Sequence, residues 1–259
     1  VDFNNIIYDK QSGVATITLN RPQAMNAFTI EMNGEVQRAL KTADEDNEVR
    51  VIVLTGAGRG FCAGQDLKGR TPDKKGSLAA SLRERYNPII LRLRRTEKIS
   101  IAAVNGVAAG AGCNLALATD LRIAAEEATF VQAFARVGLS PDCGGSIVLP
   151  RLVGFSKAME LLLLAEPVEA REAQRIGLVA KVVPAGELAA TTRAIAEKIA
   201  NGPRSIGLIK RAVNRAMMRD LADQLDYEAY LQEVAGRTSD YDEGVLAFLE
   251  KRAPVFTGK

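Results

Sequence analysis

The 259-residue chain contains no histidine and no tryptophan. The first absence excludes the most. Without an imidazole there is no Ser-His-Asp or Cys-His relay, and the usual zinc and two-histidine iron sites lose their main ligand. Cysteine is scarce: Cys62, Cys113 and Cys143 form no Cys-x-x-Cys pair and are odd in number. Free thiols in a reducing compartment, hence a cytoplasmic protein, are expected rather than a bridged scaffold. An excess of one charge is missing too. The 34 basic and 31 acidic side chains leave a net +3, too little and too dispersed for a nucleic-acid footprint. The densest basic stretch, 204–219, sets Lys210, Arg211 and Arg215 among Ile206, Ile209 and Val213 at helical spacing, which predicts a solvated helix face. No basic-then-apolar signal pattern opens the chain. The longest uncharged stretch, 99–119, is broken by Asn105, Gly106, Gly110, Gly112 and Asn114; it reads as buried core, not as a membrane span.

What is present is ordinary globular composition, 47% hydrophobic and 25% charged, at a length that suits one large domain or a core with an extension. Ala15, Ile17 and Leu19 alternate with Thr16 and Thr18, the period of a half-buried strand, and Asn20-Arg21-Pro22 ends it. Met32, Val36, Ala39, Leu40 and Ala43 recur at helical spacing before an apolar run at 51–54. The same order returns: a helix over 78–93 disturbed by Pro88, a buried strand over 99–104, a helix over 110–119 and a strand over 121–125. This alternation predicts an α/β core. From about residue 160 the pattern turns helical. Ser156 is expected to cap a helix ending at Leu164, and Gly177 to end the next short one. Longer helices are expected over 187–200, 205–218, 222–235 and 240–251, the last opened by a Ser239-x-x-Asp242 capping signature. The expected division is a core over 1–200 and a helical region over 201–259, joined near Asn201-Gly202-Pro203.

Two glycine clusters raise the question of a ligand. Gly56-Ala57-Gly58-Arg59-Gly60 follows a strand, but Phe61 stands where a dinucleotide fingerprint needs its third glycine, and no Gly-Lys-Ser/Thr follows. The segments 60–67 and 105–112 each follow a buried strand. Small residues there let backbone N–H groups approach a ligand, and the second segment opens a helix whose N-terminus favours negative charge. Two converging N–H groups are what an enolate or oxyanion needs. The same glycines would equally serve tight strand-to-helix turns and nothing more.

Asn20-Arg21-Pro22 with Asn26-Ala27, then Gly60-Phe61-Cys62-Ala63-Gly64-Gln65-Asp66-Leu67, then Asn105-Gly106-Val107-Ala108-Ala109-Gly110-Ala111-Gly112-Cys113, resemble the crotonase (enoyl-CoA hydratase/isomerase) superfamily. The similarity continues through 173–179 and covers essentially the whole chain. It implies a crotonase-like spiral of ββα units with a helical C-terminal trimerisation region, and thus a homotrimer or a homohexamer built as a dimer of trimers. It implies an acyl-CoA substrate and no separate cofactor, coenzyme A being part of that substrate. By position the thioester oxygen would sit between the backbone N–H groups of Gln65 and Ala111. Ala63, Asp66 and Leu67 would line the adenine and pantetheine, with Lys251 or Arg252 at the CoA phosphates. No metal, nucleic acid or membrane is implied.

The reaction turns on positions where the family varies. Hydratases that this chain resembles carry one glutamate where Asn114 stands and a second where Phe134 stands, and neither an amide nor a phenyl ring activates water. Asp142, in Ser140-Pro141-Asp142-Cys143-Gly144-Gly145, stands where isomerases of the family place their aspartate. From the residues alone it would be a turn or helix-cap residue. The family's dehalogenases use a histidine and a tryptophan, which this chain lacks. One carboxylate can move a proton between carbons, and apolar neighbours including Phe134 and Val137 would raise its pKa toward neutrality. Asn114 is left between orienting substrate and satisfying a buried helix start; Cys113 and Cys143 read as small core fillers. The resemblance is most detailed, through 55–67, 141–145 and 254–259, to isomerases that convert a ring epoxide of an aromatic acyl-CoA to an oxepin in phenylacetate catabolism and shift enoyl-CoA double bonds. The alternatives are an enoyl-CoA hydratase and, from another class, a non-catalytic, RNA-associated protein on the same scaffold.

Overall fold

The computed structural model describes residues 3–68, 76–217 and 219–258. Strands β1 (Ile6–Gln11) and β2 (Val14–Leu19) form an antiparallel hairpin. Helix α1 (Ile30–Glu45) follows, capped by the Thr29 hydroxyl, which accepts the Met32 N–H; such a cap contributes about 1 kcal/mol. Its buried residues include Met32, Val36, Ala39, Leu40 and Ala43, the predicted stripe.

Three strand–strand–helix turns come next. The first has β3 (Val51–Gly56), β4 (Gly60–Cys62), α2 (Leu78–Ser81), a π-helical turn over Leu82–Tyr86 and α3 (Asn87–Arg95). The second has β5 (Ile99–Val104), β6 (Val107–Ala109) and α4 (Ala111–Ala118). The third has β7 (Leu121–Ala125), β8 (Thr129–Val131), α5 (Gly145–Val153) and α6 (Phe155–Leu164). Then β9 (Val168–Glu169), α7 (Ala170–Arg175) and β10 (Lys181–Val183) precede α8 (Leu188–Ala200), α9 (Ser205–Ala216), α10 (Leu221–Gly236) and α11 (Ser239–Glu250). In every turn the first strand joins a six-stranded sheet, β1-β2-β3-β5-β7-β10, and the second a four-stranded sheet, β4-β6-β8-β9. Successive turns pair in parallel, which requires a crossover that the intervening helix supplies. This is the expected spiral.

Alternation along the large sheet divides the interior. Ile52, Leu54, Ala102, Val104 and Ala124 face a core shared with Phe61, Leu115 and Phe130, whereas Val51, Val53, Ile101, Ala103 and Ile123 pack against Leu188, Ala196 and Ala200 of α8. Strands covered on both faces are predominantly apolar, so β3 and β5 lack the alternation of β2. The residues of the candidate site lie on the first side.

The sequence expectations need five corrections. Pro88 does not break its helix: it stands in the first turn of α3, and the irregularity is the π turn before it. The chain is not purely helical after residue 160, because β9 and β10 close the two sheets. Ser156 caps nothing; α6 starts at Phe155 directly after Gly154, whose φ is +80°. The last helix is capped by Thr238, whose hydroxyl accepts the Tyr241 N–H, one position before the expected Ser239. Finally, Lys210 is no solvated side chain. It is buried, with Nζ 2.7 Å from Asp120 Oδ2 and donating to Leu93 O and Lys98 O. Arg211 bonds Glu97 and Tyr227, and Arg215 lies over the Tyr227 ring, so the basic stretch is engaged within the fold. Met218 and Lys259, which end two of the expected segments, lie outside the described residues. No described helix is long and apolar enough to cross a membrane; 99–119 divides into the expected strand β5 and helix α4, with a short strand, β6, where a glycine-rich turn was expected.

Candidate active site

The loop over 56–60 is pinned from inside. The Asn26 amide donates to Ala57 O and Gly60 O, and Asn105 donates to Gly58 O and Gly60 O while accepting the Gly56 N–H. These bonds stabilise the turn itself.

Beyond β4 the chain turns at Gly64, with φ +89°. A Cβ there would stand 2.8 Å from Ala109 O and 3.4 Å from Ala111 N, so the two glycine-rich turns touch, and only glycine allows it. Gln65 pairs in parallel with Phe28. The bonds of that bridge use Gly64 O, at 2.7 Å from Phe28 N, and Asp66 N, at 2.9 Å from Phe28 O, so the Gln65 N–H points off the other edge of the strand. Ala111 opens α4 after Gly110 (φ +51°), and its N–H belongs to the first turn, where no intrahelical acceptor exists. Phe134 is buried, its ring tip 4.0 Å from where a Gly110 Cβ would be. The groups expected to meet a thioester oxygen and an acyl chain therefore cluster at the start of α4.

Asp142 begins a tight turn. Its carbonyl accepts the Gly145 N–H at 2.9 Å, and the two central residues, Cys143 (φ +50°) and Gly144 (φ +77°), are both left-handed, as in a type I′ turn. Positive φ at a cysteine is costly, and such strain collects at functional sites. The carboxyl does not cap α5, because Gly144 is the cap residue and no side chain bonds there. Burial pushes the Asp142 pKa up, partly offset by a hydrogen bond from the Cys143 thiol, while Oδ1 is buried with no partner. Val137, expected to shield it, is mostly exposed. A group that sequence reasoning did not single out stands on the other side: Tyr86, the last residue of the π turn, is buried edge-on to Phe28 and bonded to Asn33. Burial raises its pKa, and Cys143, Cys62 and Asp142 add to the effect through their negative forms. Only the proline at 88 hints at that irregular turn. Burial raises the pKa of Cys62 and Cys113 to about 12 and also pushes up the Cys143 thiol, so all three stay protonated near neutrality and none is a ready nucleophile.

Asn114 is buried in α4 and turned to the protein. Its Nδ2 donates to Asp142 O and its Oδ1 accepts from Gln132 Nε2, both at 2.9 Å. At the rim, Ala63 and Leu67 are exposed. Asp66 is tied to Arg21 at 3.0 Å and accepts the Lys68 N–H, a bond that with the arginine holds its carboxyl below the usual range. Lys251 forms the left-handed C-terminal cap of α11, and Arg252 is spent on Glu243 and Glu250. Among the described residues no cluster could hold a metal ion. A cavity of about 280 Å³ lies on the opposite face of the large sheet, against α8, lined by Val14, Val53, Ala103 and Thr192; it is remote from Asp142 and brings no acid or base to it.

Known proteins resemble the whole chain in sequence and in fold. The family model for enoyl-CoA hydratase/isomerase matches residues 9–259. The 1,2-epoxyphenylacetyl-CoA isomerase of Escherichia coli is 48% identical over 258 residues, covering 98% of each chain. The short-chain-enoyl-CoA hydratase of Clostridium acetobutylicum is 39% identical over 263 residues, covering 97% of each. The crystal structure of enoyl-CoA hydratase subunit I from Geobacillus kaustophilus superimposes with a TM-score of 0.93 at 35% identity, covering 100% of both chains.

Proposed function

Because this chain belongs to the enoyl-CoA hydratase/isomerase family, we propose that it is an acyl-CoA isomerase in which Asp142 carries the proton. The observation behind this reading is the Asp142 carboxyl, partly buried, with one oxygen free of any partner. Two positions at which hydratases would be expected to carry glutamates hold Asn114 and Phe134. In a double-bond shift, ionised Asp142 accepts the proton from the α-carbon of a 3-enoyl thioester. The C–H electron pair moves into the dienolate, and the negative oxygen is met by the Gln65 and Ala111 N–H groups. The same proton then returns to the γ-carbon, giving the 2-enoyl thioester with no atom gained or lost. Each such donor contributes about 2.7–4 kcal/mol to the barrier reduction. A raised pKa brings the carboxylate nearer the operating pH and makes it a stronger base.

The substrate in this reading is a ring-1,2-epoxyphenylacetyl-CoA, isomerised to the oxepin, with enoyl-CoA double-bond shifts beside it. Its support is the 48% identity to the Escherichia coli isomerase across nearly the full chain. Phe134 would meet the acyl ring, Ala63, Asp66 and Leu67 the CoA, and Lys251 its phosphates. Coenzyme A enters as part of the substrate. Residues 201–259 would build a homotrimer or homohexamer, for which exposed Leu221, Phe248 and Leu249 supply apolar surface. Three free cysteines fit a cytoplasmic setting.

The test is turnover of a small panel of thioesters including the ring epoxide and a 3-enoyl-CoA. Asp142→Asn should abolish product formation from both, and full activity in that variant would refute the assignment. The Clostridium relative favours hydration as the second reading; incorporation of labelled water oxygen into a 3-hydroxyacyl product would establish it.

A further inference from the structure

We propose that Gln132 and Asn114 form a two-amide relay that holds the Asp142 peptide and thereby fixes where its carboxyl stands, making both positioning residues for the isomerase reaction. This rests on the isomerase reading above. Both amides are almost fully buried, Asn114 at 1% and Gln132 at 4% exposure. The direction of the relay follows from its end point. Asp142 O is a carbonyl and can only accept, so the Asn114 group facing it is Nδ2, at 2.9 Å. Asn114 Oδ1 must then accept, and Gln132 Nε2 donates to it at 2.9 Å. The consequence is that Gln132 Oε1 is buried with no partner. A buried acceptor left unpaired destabilises the fold; the reverse orientation would set two oxygens against each other at Asn114. Gln132 Nε2 also reaches Cys113 Sγ at 3.4 Å, so the amide is held from two sides.

The relay acts where the chain needs it. Residues 136–140, which lead into Asp142, are all exposed. The Asp142 carbonyl is held by Gly145 N–H and Asn114 Nδ2, one bond local to the turn and one reaching across to α4. Without the second, the turn stays closed and stays anchored by the buried Cys143, but its first residue, Asp142, loses the side-chain tie to α4. Gly145 completes the slot, since a Cβ there would lie 2.3 Å from Asn114 Nδ2. A carboxylate at 114 could accept but never donate to Asp142 O. The same position thus cannot both carry a catalytic carboxylate and hold Asp142 in place.

The experiment compares Asn114→Leu, nearly isosteric and unable to donate, with Gln132→Met and Asp142→Asn in the full-length enzyme on a 3-enoyl-CoA. Asn114→Leu is expected to lower kcat about 10- to 100-fold, the scale of an ångström-level misplacement, with KM changed less than about 3-fold. Its kcat–pH profile should lose activity at lower pH than the wild type's, because Asp142 gains water. The titratable groups around that carboxyl are the Cys143 thiol and the Tyr86 hydroxyl, with Cys62 behind them, and all are unchanged in the variants. A merely structural role would lower thermal stability and leave the acid limb in place. Gln132→Met, one step further away, should shift the limb in the same direction by less, and it decides the question if Asn114→Leu does not fold. An inactive Asp142→Asn with unshifted limbs and unchanged kcat in the other two overturns the relay alone; a fully active Asp142→Asn overturns the isomerase reading.

Discussion

Lys210→Met tests whether the basic residue in α9 is a strut or surface charge. The side chain is 3% exposed and its partner Asp120 16%. Nζ meets Asp120 Oδ2 at 2.7 Å, Leu93 O at 2.7 Å and Lys98 O at 2.8 Å, so all three ammonium protons are used. Methionine keeps the apolar stem and removes only the charge and donors. Asp120 would then keep only the Ser100 N–H and hydroxyl, and two carbonyls would lose their donor. Breaking one side of a buried pair costs about 3–5 kcal/mol, and about 2–4 °C of Tm is lost per kcal/mol in a large domain. The expected fall is on the order of 6–20 °C, read by thermal unfolding. Burial pushes the Lys210 pKa down despite Asp120, so the cation is itself disfavoured in the fold. Neutralising Asp120 as well, in Lys210→Met with Asp120→Asn, should therefore restore much of the loss. A single-variant loss below about 2 °C would place the pair with exposed ion pairs worth about 0–1 kcal/mol and refute the strut.

Gly64→Ala should lower kcat at least about 100-fold, as for loss of one oxyanion donor, because its Cβ pushes on Ala109 O and parts the turns that carry Gln65 and Ala111; steady-state kinetics with undiminished kcat would show that the turns need not touch. Asp142→Asn should also be more stable than the wild type near pH 8. The Asp142 pKa is raised in the fold, so its contribution is fully present below the unfolded value of about 3.9 and is lost as pH rises through the folded one. The Tm gap between variant and wild type, about 2–4 °C for 1 kcal/mol, should therefore close toward pH 4; a gap independent of pH would mean that the carboxyl charge is not its cause.

Local pattern carried much of this molecule. The alternation in β2, the predominantly apolar β3 and β5 and the stripe of α1 are legible because each side chain's burial depends on the period of its own backbone, and that period is a property of a few neighbouring residues. The glycine-rich segments were legible as turns for the same reason, being short and contiguous, whereas Asp142 read locally only as a turn residue and became a candidate through the family resemblance. The caps at Ser156 and Ser239 were misplaced by local reasoning as well, since α6 is entered through Gly154 with no side-chain cap and Thr238 caps α11 one residue earlier. What only the tertiary structure decided is who meets whom. Asn114 acts across 28 residues on Asp142, and Lys210 across 117 on Leu93. Nothing in the spacing of 204–219 says that one lysine turns inward, and nothing in Leu82–Tyr86 says that a π turn carries Tyr86 toward Asp142. The physical reason is that the balance between desolvating a polar group and pairing it is struck by the neighbours that packing brings: composition limits which proton carriers exist, and packing decides that Lys210 is paired while Asp142 Oδ1 is buried without a partner.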